Sequence, residues 1–206
     1  MVSSFDERCF ETGGLGFTVH AKPVSAQNKN EDKQRFKKEV QKVTSKSEFI
    51  ITGTCWVSID YYCQHVNRRK NPRVYDIDNI VKPILDSLVG QDGLLVDDVL
   101  VDRVIVNWID TGQDDYFEVQ IEYPDLLYLD KKNLVMVKSE SGWCFPTSSH
   151  IDNPFRELIR HHFSLWDSIN TEDDYYAVVG QLPWQNFIYY SKIKDRGYTF
   201  ISLSDI

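Results

Sequence analysis

The sequence predicts an α/β (α+β) protein, with helices packed on a mixed sheet. Two patterns carry this reading. Segments alternating apolar and polar residues are interleaved with segments of helical period, in the order β-α-β-α-β-β up to Tyr123. Apolar residues make up 42% of the 206, enough for a sizeable core. Pro124 and the polar run Asp130-Lys131-Lys132-Asn133 mark a boundary, giving two expected domains, 1–124 and 125–206.

Phe17-Thr18-Val19-His20-Ala21 alternates and reads as the first strand. A polar loop over 23–30 follows. Glu31 to Lys46 then reads as a charged helix with Phe36, Val40 and Val43 on its apolar side. Its Lys33, Arg35, Lys37, Lys38 and Lys42 suit either phosphate or a solvated face. Gly53 to Tyr62 reads as the second strand. It leads into Asn67-Arg68-Arg69-Lys70-Asn71-Pro72-Arg73, read as a basic loop. Cations there would hold a nucleic-acid backbone without reading its sequence.

The centre of the chain is Asp76-Ile77-Asp78-Asn79-Ile80-Val81-Lys82-Pro83-Ile84-Leu85-Asp86-Ser87-Leu88. Apolar residues at 77, 80, 81, 84, 85 and 88 give an amphipathic helix. Asp78, Lys82 and Asp86 recur every four residues along another edge. Asp78 reads as the N-cap, and Pro83 removes one backbone donor and shifts or kinks the first turn. Gly90 and Gly93 mark a turn, and Asp97-Asp98 arrives at the mouth of the next strand, Val99–Trp108. Tyr116–Tyr123 completes the domain after a hairpin-like connection. Two carboxylates near one helix start repel each other, and a hard divalent ion such as Mg²⁺ relieves that. A plain alternative is a solvated salt-bridge row with acids placed on the helix dipole. The polar Asn79, Lys82 one turn on, and the later acidic pair weigh towards function.

These residues resemble a known family. The run D-I-D-N-I-V-K-P-I-L-D-S-L, a short Gly-containing turn, then D-D-V-L-V is similar to the signature of the RusA family of Holliday-junction resolvases. Lys22-Pro23-Val24-Ser25-Ala26-Gln27 resembles that family's loop after its first strand. The resemblance covers about residues 1–124. It implies a RusA-like fold and a homodimeric, Mg²⁺-dependent endonuclease that nicks four-way junctions in recombination and repair, with Mn²⁺ substituting. It also implies a cytoplasmic setting in a bacterial or phage-infected cell. By position it assigns the metal to Asp76, Asp78 and one of the later pair, taken as Asp98, with Lys82 assisting catalysis. Arg68, Arg69, Lys70 and Arg73 are then the expected DNA-binding residues.

Net charge is −8, which at first argues against a nucleic-acid binder. The distribution is more telling: residues 21–73 hold twelve Lys/Arg against five Asp/Glu, leaving −15 elsewhere. No secretory signal and no membrane-length apolar stretch is read. Cys9, Cys55, Cys63 and Cys144 are scattered, which fits reduced thiols and argues against a zinc site.

In residues 125–206, Asp152-Asn153-Pro154 starts a helix with Pro at N1, running to about Asn170. Asn186–Tyr190 and Tyr198–Leu203 read as strands. The segment is aromatic-rich and carries −3, which suits a protein-contact or regulatory module. Its aromatics are either core or base-stacking platforms, and His161-His162 is either a metal pair or an exposed helix face. Three other functions compete with a nuclease acting on branched DNA. They are a catalytically silent junction-binding protein, a glycosyltransferase using D-x-D, and a non-enzymatic partner-binding module.

Overall fold

A computed structural model describes residues 5–6, 13–70 and 76–206. The chain divides into two compact units, 1–128 and 129–206.

In the first unit β1 (Phe5–Asp6), β2 (Gly14–Val19), β4 (Cys55–Gln64), β5 (Val101–Thr111) and β6 (Tyr116–Glu122) form one sheet in the order β1-β2-β6-β4-β5. The short β3 (Phe49–Ile51) precedes β4. Only β4 and β5 are parallel neighbours. A parallel pair needs a crossover, and α2 (His65–Lys70) with α3 (Ile77–Leu88) supplies it. Helix α1 (Asn30–Thr44) packs beside α3 and touches β2.

Strand β4 alternates strictly. Cys55, Val57, Ile59, Tyr61 and Cys63 are buried, while Trp56, Ser58, Asp60, Tyr62 and Gln64 stay half-exposed. The buried set meets Phe117, Val119 and Ile121 of β6, and the Phe36 ring of α1 lies 5.8 Å from that of Phe117. From α3 come Ile80, Ile84 and Leu88, each burial contributing about 1.5–3 kcal/mol. Ile77, expected on this apolar face, is 38% exposed instead, at the first position of the helix.

The expected basic loop proves helical over His65–Lys70, since no Gly or Pro interrupts the chain before Pro72. Strand β5 starts two residues later than expected, after a one-turn 3-10 helix at Asp98–Leu100.

The second unit has the sheet order β10-β9-β8-β11, formed by β8 (Leu134–Lys138), β9 (Trp143–Ser148), β10 (Ile188–Tyr189) and β11 (Phe200–Ser202). The short β7 (Tyr128–Asp130) precedes it. Helix α4 (Asn153–Asp167) begins at Asp152, whose side chain accepts the Phe155 N–H at 3.0 Å; Pro154 is therefore the second helical residue. It ends three residues before Asn170. The two later strands are shorter than expected, because Trp184–Asn186 and Leu203–Asp205 turn as 3-10 helices. Helices α5 (Glu172–Val178) and α6 (Tyr190–Ile193) complete the unit.

Among the described aromatics of this unit, Phe145, Phe163, Phe187 and Tyr198 are buried, while Phe155, Tyr176 and Tyr189 are exposed. Phe187 stacks on Trp166 at 4.6 Å and meets Phe163 and Phe145 at 5.1 and 5.4 Å. Among the described residues, no helix is long and apolar enough to cross a membrane. Cys55, Cys63 and Cys144 are buried free thiols, and burial pushes Cys55 up to about 12 and Cys144 to about 11.

Candidate active site

Helix α3 opens at Asp76, not at Asp78. Asp76 is the N-cap in extended backbone (φ −113°, ψ 122°), and Asp78 lies in the first turn. No cap hydrogen bond is made by the Asp76 side chain. It faces the Asp78 carboxyl instead. A side-chain hydrogen bond with Asp78, then the like charge of Asp78, holds Asp76 above its ordinary value, opposed by the Ile77 N–H. Both residues are exposed. Two hard oxygen donors side by side in open solvent suit a hard cation, which would complete its coordination with water and substrate phosphate.

The third carboxylate arrives on a turn whose geometry is fixed by backbone. The Leu88 carbonyl accepts the N–H groups of Leu94 and Leu95 at 2.7 and 3.0 Å, and Ile51 donates to Leu94 at 2.7 Å. A Cβ on Gly93 would sit 2.1 Å from the Leu88 oxygen, so only glycine fits there. Asp97 is buried and accepts the Val99 N–H at 2.9 Å, which caps the 3-10 turn. Asp98 is half-buried at the start of that turn, which packs against α3. Of the two, Asp98 therefore keeps access to solvent. Asp76 and Asp78 are brought together; no group of three His, Cys, Asp or Glu side chains converges as a metal cage among the described residues.

Lys82 is exposed one turn on and pairs with Asp86 at 3.4 Å, closing one half of the expected Asp78–Lys82–Asp86 row. Such a solvated pair holds its cation weakly. Arg69 and Lys70 are exposed on α2; the side chain of Arg68 and all of Arg73 lie outside the described residues. On α1, Arg35 and Lys42 pair with Asp32 and Glu39 at 2.8 and 2.7 Å. In the second unit His161 is exposed, while His162 is half-buried beside Phe145 and lowered first by burial.

Sequence reading missed one connection. Pro83 has no N–H to offer the carbonyl four residues back, that of Asn79. The Ala26 N–H takes that carbonyl at 2.7 Å, fastening the loop after β2 to the first turn of α3. A proline four residues after a polar helix start was the available signal.

The fold is thus a mixed α+β domain with an acidic pair at the start of a crossover helix. Residues 19–122 match the family described as endodeoxyribonuclease RusA. The chain belongs to the RusA family of endodeoxyribonucleases. No curated protein matches it.

Proposed function

We propose that this protein is a divalent-metal-dependent endonuclease that nicks Holliday junctions or other branched DNA during recombination and repair. The observation that carries the reading is the Asp76–Asp78 contact, inside a segment matched to an endodeoxyribonuclease family. Asp76, Asp78 and Asp98 would hold Mg²⁺, or Mn²⁺ in its place. When bound, such an ion activates a water and neutralises charge on the scissile phosphate. Lys82 exchanges Asp86 for the phosphate as DNA arrives, and Arg68, Arg69, Lys70 and Arg73 hold the backbone alongside.

A four-way junction has near two-fold symmetry and needs two nicks, so a C₂ homodimer is the economical assembly. The setting that suits this substrate is the cytoplasm of a bacterial or phage-infected cell. The test is incubation with an end-labelled four-way junction, with and without Mg²⁺. Paired nicks that require the metal are expected; binding without nicks would favour the silent junction binder. That second reading draws on the absence of a converged three-carboxylate group among the described residues.

A further inference from the structure

One turn along α3 from Asp76 lies a cavity of about 330 Å³ that the metal chemistry does not use. This is the lower end of the range for small-molecule clefts, about 300–1,000 Å³. Pro23, Val24, Ile80 and the Tyr61 ring give it apolar walls, and Lys22 and Asn28 add polar groups. Ile80 lies one helical turn from Asp76, about 6 Å along the axis. The Ala26–Asn79 hydrogen bond fixes the loop that forms the other wall.

The chemistry of the lining selects its occupant. Tyr61 donates its hydroxyl to Asp115 at 2.8 Å, and burial keeps that phenol protonated, so it offers ring rather than charge. Asn28 Oδ1 accepts the Ser25 N–H at 3.1 Å, which commits the oxygen to the loop. The Asn28 amide and the Lys22 ammonium are both hydrogen-bond donors. A planar ligand with acceptor edges and apolar faces matches these walls. A bare phosphate does not, since four of the lining residues are apolar or aromatic.

We infer that this cavity receives one nucleobase of the strand being cut, extruded next to the scissile phosphate. The inference rests on the nuclease reading above. Stacking is already interrupted at a branch point, so extrusion there costs least. The base enters between Val24 and Ile80 and takes hydrogen bonds from Asn28 and Lys22, which fixes the neighbouring phosphate against Asp76 and Asp78.

The experiment couples substrate and pocket. Junctions carrying a single abasic nucleotide at each position within two of the nick are cut by wild type, by Val24→Trp and by Asn28→Asp. Val24→Trp fills the cavity; Asn28→Asp keeps the acceptor for Ser25 and removes the amide donor. At one position, wild type should lose roughly 10- to 100-fold in kcat/KM, the scale of one stacked base. Each variant should already be slower on the intact junction and lose little more on the abasic one, with Mg²⁺-free junction affinity changed by the same pattern.

Additive losses, or abasic junctions cut at full rate everywhere, would overturn the base pocket. If Val24→Trp does not fold, the exposed Asn28→Asp decides alone. Millimolar deoxynucleoside monophosphates should leave wild-type cutting unchanged; inhibition relieved by both variants would make the cavity a free-nucleotide site and overturn the inference. A wild-type protein that neither binds nor nicks any junction would instead sink the nuclease reading itself.

Discussion

Two aspartates at two helix starts are shifted in opposite directions from the ordinary carboxylate value. Asp174, in the first turn of α5, accepts the N–H groups of Asn170 and Thr171 at 3.1 and 2.9 Å, and closes a capping box with Thr171. Those bonds favour its charged form and hold it below the usual carboxylate value. Asp76 faces another carboxyl and is held above it. The first arrangement stabilises the fold through its negative charge. The second is destabilised by it, and gains when something positive arrives. A carboxylate placed against its own folding interest is a candidate ligand for a cation.

This contrast can be tested from its largest consequence downward. Asp78→Asn should cut junction nicking by about 10²- to 10³-fold, the scale of losing one electrostatic partner of the reacting group. Junction binding should hold or tighten, because carboxylate–phosphate repulsion is relieved. Single-turnover assays with gel-shift controls measure both.

Metal should act on stability with a defined pH sign. The raised Asp76 favours the native state below its ordinary pKa, and that contribution is lost as pH rises through the raised value. Melting temperature should therefore rise with Mg²⁺ at pH 7 but not at pH 4. In Asp78→Asn the Mg²⁺ increment should vanish and the metal-free protein should be the more stable. An equal increment at both pH values would move the ion elsewhere.

Asp174→Ala should behave as the mirror case. A lowered carboxylate stabilises above its ordinary value and ceases to as pH falls through its native one. The variant should melt lower at pH 7, converge with wild type in acid, and nick at the wild-type rate. A nicking defect would break the distinction between the two aspartates.

The smallest effect belongs to the cations of α2. Changing Arg68, Arg69 and Lys70 together to Ala should flatten the salt dependence of duplex-arm binding by about 0.9 in log–log slope per lost phosphate contact. An unchanged slope would return them to ordinary surface.

How far this was readable follows from how local each signal is. Helix α3 was legible because its 3.6-residue period and its charges sit in one continuous run, 76–88. The choice of Asp76 over Asp78 as N-cap was not, since both are good caps by residue type and the decision lies in the extended backbone at Asp76. Strands β8 and β9 went unread for different reasons. Leu134–Lys138 is almost wholly buried, so it shows no alternation. Trp143–Ser148 contains Pro146, which argues against a strand. Yet β10 pairs only with Trp143 and Cys144, so the chain beyond them is an edge where proline is tolerated. The cavity was invisible because Tyr61, Val24 and Ile80 converge only through the fold.

The bond from Ala26 to Asn79 makes two distant positions depend on one missing hydrogen. Any residue but proline at 83 restores a donor that shares the Asn79 carbonyl with Ala26, so the helix becomes more regular as the anchor of the loop weakens. Local stability and placement of the loop are thereby set against each other. Substitutions at 83 can improve the helix and loosen its neighbour in one step, so selection for thermal stability alone would tend to degrade whatever the loop positions.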